Sequence, residues 1–149
     1  MAIERAPEIE RLIEESRRAY RAGDGEALRQ MTSKHSAALM VGTDPQEIRR
    51  GHDAIVGSLE TDLSMASQGG LDFVAGETTA YKDGDLGWAT SFGAFRLRDG
   101  TEIPTRTMSI MSREDGEWKF LQGMISTAVP NSMLEVDSPL AQAFASAKS

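Results

Sequence analysis

Residues 86–126 read LGWATSFGAFRLRDGTEIPTRTMSIMSREDGEWKFLQGMIS, and this stretch decides the fold of the chain. Two turn signals divide it, Asp99-Gly100 and Glu114-Asp115-Gly116, and the segments between them alternate in the manner of β-strands. Consecutive strands that are joined by short turns pair antiparallel. The stretch therefore predicts three antiparallel strands, over residues 86–97, 102–113 and 117–127.

The two faces of this predicted sheet are hard to tell apart. In the first strand one face carries Trp88, Thr90 and Phe92, the other carries Ala89 and Ser91, and neither is strongly charged. A sheet that is covered on both sides, or that curls around a cavity, has this pattern. The sequence does not decide which face lies inward.

Helical patterns dominate the chain before this stretch. Proline at a first turn, apolar residues at helical spacing and a following glycine predict a first helix, and Asp24 is expected to cap a second. A third amphipathic pattern starts at Gly51 or His52 and is expected to stop before Gln68-Gly69-Gly70. The predicted helices cover residues 7–22, 25–31 and about 52–65.

The remaining segments predict strands, turns and a tail. An apolar run and a mixed run predict two further strands, and the polar segment with Asp44-Pro45 between them predicts a loop. Lys82-Asp83-Gly84-Asp85 predicts a hairpin turn. Ser138 and Pro139 predict the start of a short helix after Pro130. The predicted segments are strands 35–42 and 71–81, loop 43–51 and helix 138–147.

Composition limits the classes of protein that are possible. The chain has 149 residues, 40% of them hydrophobic and 26% charged, which is typical of one globular domain. A formal charge of −7 argues against nucleic acid and against an anionic membrane surface as partners. There is no cysteine, and no segment is apolar for long enough to span a bilayer. We expect one cytoplasmic domain over 1–149, with a core at about 8–127 and a tail at 128–149.

The order of elements predicts an α+β fold. Two helices, a strand, a helix and then four antiparallel strands allow one curved sheet, mixed or antiparallel, to wrap around the N-terminal helices. Such a sheet buries the apolar faces and leaves an open-ended cavity at its centre.

Five short motifs in this order resemble the nuclear transport factor 2-like superfamily, in particular its SnoaL-like and ketosteroid isomerase-related branches. The motifs are AGD at 22–24, GTDP at 42–45, GHDAI at 51–55, RTMSIM at 106–111 and DGEWKFLQGMIS at 115–126. The resemblance covers about Glu8 to Ser126, and the last motif is the most specific. It implies a cone-like SnoaL-like domain, with a pocket between sheet and helices, that forms a homodimer through the sheet.

The resemblance does not carry over the catalytic groups of the steroid isomerases. The place of the tyrosine donor is Ser16, the place of the carboxylate base is Met40, and a second acid would fall near Met108 or Ser109. That chemistry needs a carboxylate to move the proton and donors for the oxyanion. Many SnoaL-like sequences also carry two histidines in the last strand, where this chain has Gln122 and Met124. We therefore expect no steroid isomerase-type catalysis and no acid–base pair in the cavity.

An apolar pocket needs lining residues, and methionines and aromatic rings suit oily ligands. Arg106 is a candidate partner for a ligand carboxylate, and a salt bridge with Glu77 or Glu102 is the alternative. We predict no cofactor and no metal, because the two histidines, His35 and His52, have no further ligands at metal-like spacing. The candidate ligand-binding residues are Ser16, Tyr20, Met40, Trp88, Thr90, Phe92, Arg106, Met108, Gln122 and Met124.

Three functional hypotheses follow. The first is a homodimeric domain that binds a small apolar molecule. The second is an enzyme of the cyclase, hydratase or isomerase type that uses Arg106 with Glu77, Asp72 or Tyr20; a carboxylate inside the cavity would favour it. The third is a dimerisation module without a ligand.

Overall fold

The computed structural model describes residues 2–69 and 72–147. Their helices pack against a curved sheet, and a short 3₁₀ turn, Asn131–Leu134, precedes the last helix. The helices of the described residues are α1 Pro7–Ala22, α2 Gly25–Met31, α3 His52–Gly69 and α4 Pro139–Ala147.

The strands of the described residues form a single mixed sheet in the order β1-β5-β6-β7-β8-β2-β3. β4 lies outside this order and pairs with the last three residues of β6, whereas β5 pairs with the first part of β6. All pairs are antiparallel except β2 with β8, which are parallel. The fold is therefore α+β with an open mixed sheet. The strands are β1 Glu4–Arg5, β2 Leu39–Val41, β3 Ile48–Arg50, β4 Asp72–Val74, β5 Thr78–Asp83, β6 Leu86–Arg96, β7 Glu102–Glu114 and β8 Glu117–Thr127.

Local signals explain the first two helices. α1 begins at Pro7 and ends at Ala22, and the left-handed φ of 69° at the following Gly23 suits a residue without a Cβ. Asp24 caps α2, because its carboxylate accepts a hydrogen bond of 3.0 Å from the backbone N–H of Ala27. These predictions are confirmed, as are the three long strands and the C-terminal helix.

The structure differs from the sequence prediction at five places. The segment 43–51, predicted as a loop, contains β3, which forms a hairpin with β2. Only residues 39–41 of the predicted strand 35–42 pair, and the predicted strand 71–81 is divided into β4 and β5. α3 continues to Gly69, four residues beyond its predicted end at Met65, and β1 was not predicted. Short edge strands carry few alternating residues, so their periodicity is weak.

One end of the interior is densely packed, and we call it the packed end. Ile9 and Met111 are fully buried there, and Trp118 packs against the cluster. Gly87 lies so close to the Cδ1 atom of Ile9 that an added Cβ would collide with it, which fits α1 closely to the sheet. The packed end consists of Ala6, Ile9, Leu12, Ile13, Ala80, Ala89 and Met111.

A β-bulge interrupts the pairing of β7 with β8. Ile110 pairs with Gln122, but Met111 pairs with Phe120, so Leu121 is an extra residue on β8. Such a bulge bends the strand and shifts the alternation of side chains by one position.

No helix within 2–69 or 72–147 is long and apolar enough to cross a membrane.

Candidate functional site

Beyond the packed end, the sheet and the helices separate and enclose a cavity of about 770 Å³. Cavities that bind small molecules typically measure about 300–1,000 Å³. The lining of this cavity is mostly apolar, with a few charged and hydroxyl groups. Its size and chemistry are therefore suited to a small organic molecule.

Two helices supply matching stripes to the cavity wall. α1 contributes Ile13, Ser16, Arg17 and Tyr20, and α3 contributes residues at the same i, i+3, i+4, i+7 spacing. This spacing places four side chains on one face of a helix. The residues of the α3 stripe are Ile55, Ser58, Leu59 and Asp62.

The sheet supplies small side chains at the centre of the wall. Ser91, Thr107, Ser109 and Gly123 line the cavity on three neighbouring strands. They are the positions that pair across the sheet, Ser91 with Thr107 and Ser109 with Gly123. Small residues here leave space that the helices do not fill, so the hollow follows from side-chain size.

Aromatic and sulfur-containing side chains complete the apolar lining. Phe73 and Phe95 meet edge to face, with ring centroids 5.4 Å apart. Met40 lines the cavity beside Gly123, with which it pairs across the parallel ladder. These groups supply an adaptable apolar surface.

The cavity brings together only part of the predicted site. Ser16, Tyr20 and Met40 line it, and Gln122 and Met124 border it along β8. However, Met124 is 55% exposed and pairs with Met108, so its side chain lies on the outer face of the sheet. The Gln122 side-chain amide donates to the carbonyl oxygen of Ala37. Ser16 donates its hydroxyl hydrogen to the Ile13 carbonyl, 2.8 Å away.

The other five predicted residues lie on the opposite face of the sheet. Phe92 and Met108 are 52% and 56% exposed, and none of the five is among the lining residues. Adjacent strand residues point to opposite faces, so the inward positions are the neighbours of the predicted ones. The residues that require this correction are Trp88, Thr90, Phe92, Arg106 and Met108.

Among the described residues, Arg106 forms no salt bridge with Glu77 or Glu102, and it does not line the cavity. The residue is exposed and pairs across the ladder with Phe92 and Ser126. Glu102 instead accepts two hydrogen bonds from Arg96, at 2.8 and 3.1 Å. Glu77 and Asp72, which the enzyme hypothesis considered, also lie outside the cavity lining.

Acidic residues do line the cavity, contrary to the expectation of a wall without an acid–base pair. Asp62 projects from α3, and Glu47 lies beside β3, which the sequence analysis did not predict. Burial raises the pKa of the Asp62 carboxyl, the Glu47 charge raises it further, and Arg49 lowers it. Within the described residues, Asp62 accepts no hydrogen bond and joins no ion pair.

Tyr20 lies on α1, and the charge of Asp62 affects the pKa of its hydroxyl. Burial is the main cause that raises the pKa of the Tyr20 hydroxyl, and the Asp62 charge adds to it. The phenol therefore stays protonated and can donate a hydrogen bond at neutral pH. Asp62 is detectable in the sequence, since it is seven residues after Ile55 and three after Leu59 and is the one charged member of that stripe.

A second polar region lies around Arg17. Its Nη2 atom donates to Thr78 Oγ1 at 3.2 Å, and Thr78 Oγ1 lies 3.0 Å from Ser91 Oγ. Arg21, one turn further along α1, donates to the Phe73 carbonyl oxygen at 2.6 Å. Both arginines line the cavity. Across 2–69 and 72–147, no three His, Asp or Glu side chains are grouped closely enough to hold a metal ion.

Comparison with protein families identifies the class of protein. The model of the SnoaL-like domain matches residues 9–130, and the chain belongs to this family. No curated protein shows significant similarity to it.

Solved structures show the same fold. An NTF2-like protein of unknown function from Pseudomonas putida KT2440 is 20% identical, with a TM-score of 0.73, over 83% of this chain and 87% of that one. An NTF2-like protein with a cystatin-like fold from Novosphingobium aromaticivorans is 18% identical, with a TM-score of 0.69, over 92% and 86% of the two chains. A protein provisionally named a dehydratase of the NTF2-like family, from Streptomyces avermitilis, is 13% identical, with a TM-score of 0.69, over 82% and 94%.

Proposed function

We propose that this SnoaL-like domain binds a small, largely apolar molecule in the cavity. The observation that carries the proposal is the hollow itself, about 770 Å³ of space walled by Met40, Leu59, Phe73 and Phe95. An unfilled apolar hollow loses packing contacts, so a fold that retains one has a use for the space. The steroid isomerase positions in this cavity hold Ser16 and Met40, so that chemistry is not part of the proposal.

A neutral fluorescent dye, N-phenyl-1-naphthylamine, tests the proposal. Its emission rises in an apolar environment, so a titration yields a dissociation constant. We expect saturable binding to the wild-type protein and at least about a tenfold loss in Thr107→Phe, whose ring enters the cavity. Met108→Phe is the matched control, because the neighbouring residue lies on the outer face.

Unfolding curves first establish that both variants are folded. Equal dye affinity in Thr107→Phe and the wild type would contradict the proposal, since the dye would then bind elsewhere. Absence of any binding to the wild type would also contradict it.

We also propose that two subunits pair through the outer face of the sheet. Phe92, Met108 and Met124 form an exposed apolar surface there, and Ile110 extends it. Exposed apolar surfaces of this kind typically mark association sites. Sedimentation should give the mass of a dimer for the wild type and of a monomer for Met108→Glu. A wild-type monomer at micromolar concentration would contradict the pairing.

A second candidate function is proton transfer within the cavity, and Asp62 is the observation that favours it. Its carboxyl has a raised pKa in a mostly apolar cavity, and its charge raises the pKa of the Tyr20 hydroxyl, which lines the same cavity. In such a step Asp62 takes a proton from carbon, and the electron pair moves to a carbonyl oxygen that accepts a hydrogen bond from Tyr20.

Exchange of the α-hydrogens of 2-tetralone in D₂O, followed by NMR, tests this candidate. We expect the wild type to accelerate exchange and Asp62→Asn to reduce the acceleration by about 100-fold. Asp53→Asn, an exposed acid on the same helix, is the control and should keep the wild-type rate. Equal rates in Asp62→Asn and the wild type would contradict the candidate.

A further inference from the structure

The Arg17 guanidinium is an unmatched positive charge in the cavity wall. Within the part of the chain that the structure describes, no carboxylate lies within ion-pair distance of it, and its side-chain hydrogen bond goes to the neutral Thr78 hydroxyl. Arginines that leave bulk water are usually paired, because desolvating an unpaired charge is costly. The cavity thus presents a cation that its own residues do not neutralise.

The surroundings of Arg17 increase this imbalance. Burial lowers the pKa of the Arg17 guanidinium, Glu14 raises it, and the neighbouring charge of Arg21 lowers it again. The Nε atom of Arg21 is 4.0 Å from Oδ1 of Asp72, a long ion pair with an exposed acid outside the cavity. A second cation beside a desolvated one favours an anion at the same place.

The Arg17 side chain is also held in place. The hydrogen bonds from Arg17 to Thr78 and between Thr78 and Ser91 join α1 to β5 and β6. A guanidinium has five N–H donors in a planar fork, so most of them remain available to a ligand. Fixing the fork in advance reduces the entropy lost when a ligand binds.

The acids of the cavity are not the charges that act on Arg17. The charges that act on Asp62 are Glu47 and Arg49, whereas those that act on Arg17 are Glu14 and Arg21. Apolar side chains such as Met40 and Leu59 line the same cavity.

We infer that Arg17 binds an anionic group of the ligand, and that the ligand is an apolar molecule with one carboxylate or sulfonate. This inference rests on the proposed function and specifies its ligand class. The anionic group accepts hydrogen bonds from the guanidinium of Arg17, and the apolar body extends toward Met40 and Leu59. Charge-assisted hydrogen bonds of this kind are about twice as strong as neutral ones.

Two dyes with the same aromatic body test the inference. 1-Anilinonaphthalene-8-sulfonate is N-phenyl-1-naphthylamine with one added sulfonate, so the ratio of their dissociation constants isolates the contribution of the charge. We expect the wild type to bind the sulfonate at least about tenfold more tightly, and Thr107→Phe to weaken both dyes.

Variants assign the preference to Arg17. Arg17→Met and Arg17→Gln should bring the ratio to within about twofold of one, while Arg18→Met, an exposed neighbour on α1, should keep the wild-type ratio. Arg17→Gln retains a donor for Thr78, so it decides the test if Arg17→Met does not fold. A ratio that survives in folded Arg17→Gln, or that is lost only in Arg21→Gln, would overturn the assignment.

The test also separates this inference from the proposed function. If the neutral dye binds in the cavity and the sulfonate binds no more tightly, the anion inference fails and the apolar site stands. If neither dye binds, both fail.

Discussion

The two ends of the interior differ although the same elements build them. At the packed end, Met111 on β7 and Ile9 on α1 are fully buried in the same hydrophobic cluster. Two and four residues before Met111 on the same face of β7, Ser109 and Thr107 line the cavity instead. Hydrophobicity alone does not account for this difference, because Met40 and Leu59 also line the hollow. The volume of the side chains on the sheet distinguishes the two ends.

The helix changes in step with the sheet. α1 presents Ile9 and Leu12 to the packed end and Ser16, Arg17 and Tyr20 to the cavity. Small strand residues alone would let a helix move closer and close the space. Because the helix presents polar and charged groups at that level, contact with the sheet would bury them, and the hollow is retained.

The largest expected effect is that of a truncation at the packed end. Met111→Ala should lower the free energy of unfolding by about 2–5 kcal/mol, because it removes buried atoms and leaves a void. Thr107→Ala, on the same face at the hollow end, should lower it by less than about 1 kcal/mol. Urea unfolding measures both. Equal losses would show that the two ends are packed alike.

Enlarging a side chain should destabilise the packed end more than the cavity end. Ala89→Leu should destabilise the fold by about 1–3 kcal/mol, since Ala89 is 1% exposed and its neighbours cannot move apart without strain. Thr107→Phe should stay within about 1 kcal/mol of the wild type, because its ring occupies existing space. Thermal unfolding compares them, and a greater loss in Thr107→Phe would contradict the hollow.

Two acids should show opposite dependences on pH. The Asp62 carboxyl has its pKa raised, mainly by burial, above the ordinary value of 3.8. Its contribution to stability is therefore complete below that value and is lost as pH rises through the folded pKa. For Glu114, burial raises the pKa, but hydrogen bonds from Ser112 and Ser33 outweigh it and place it below 4.5. That contribution is present above 4.5 and is lost as pH falls through the folded pKa.

Urea unfolding of Asp62→Asn and Glu114→Gln between about pH 3.5 and pH 7 measures these dependences. Relative to the wild type, Asp62→Asn should gain stability as pH rises, and Glu114→Gln should lose it. The same slope in both variants would contradict the difference between the two sites.

The smallest effect is expected on the outer face. Arg106→Met should change the free energy of unfolding by no more than about 0.5 kcal/mol and leave both dye affinities within about twofold of the wild type. Arg17→Met supplies the comparison for the sulfonate dye. A tenfold loss of dye affinity in Arg106→Met would mean that the ligand binds on the outer face.

The fold was predictable because its signals are local. The glycine turns at Gly100 and Gly116, the cap at Asp24 and the terminator at Gly23 each act over a few residues. Strands of two or three residues carry too little periodicity to be predicted, which applies to β1 and β3. The place of Arg49 in the cavity wall is therefore not predictable either, because Arg49 lies in β3.

The site is less predictable, because the large side chains of Trp88 and Phe92 do not line it. Both faces of β6 are weakly polar, and the aromatic rings of Trp88 and Phe92 are typical of an apolar pocket. A hollow instead requires small residues on its wall, and Ser91, Thr107 and Gly123 indicate it better than any aromatic does. Arg17 and Asp62 are charged residues at the inward helical positions of α1 and α3, a signal that family motifs do not contain.

One extra residue in the last strand shifts the numbering of its inward side chains and bends the cavity wall. Before Leu121 the inward side chains of β8 have even numbers, such as Phe120, and after it they have odd numbers, such as Ile125. Deleting Leu121 would remove the bulge but keep the pairs Met111–Phe120 and Ile110–Gln122 in one regular ladder, so Gly123 and Ile125 would still face the cavity. The extra residue bends β8 where the packed end gives way to the cavity, and its loss would straighten this wall without exchanging its lining.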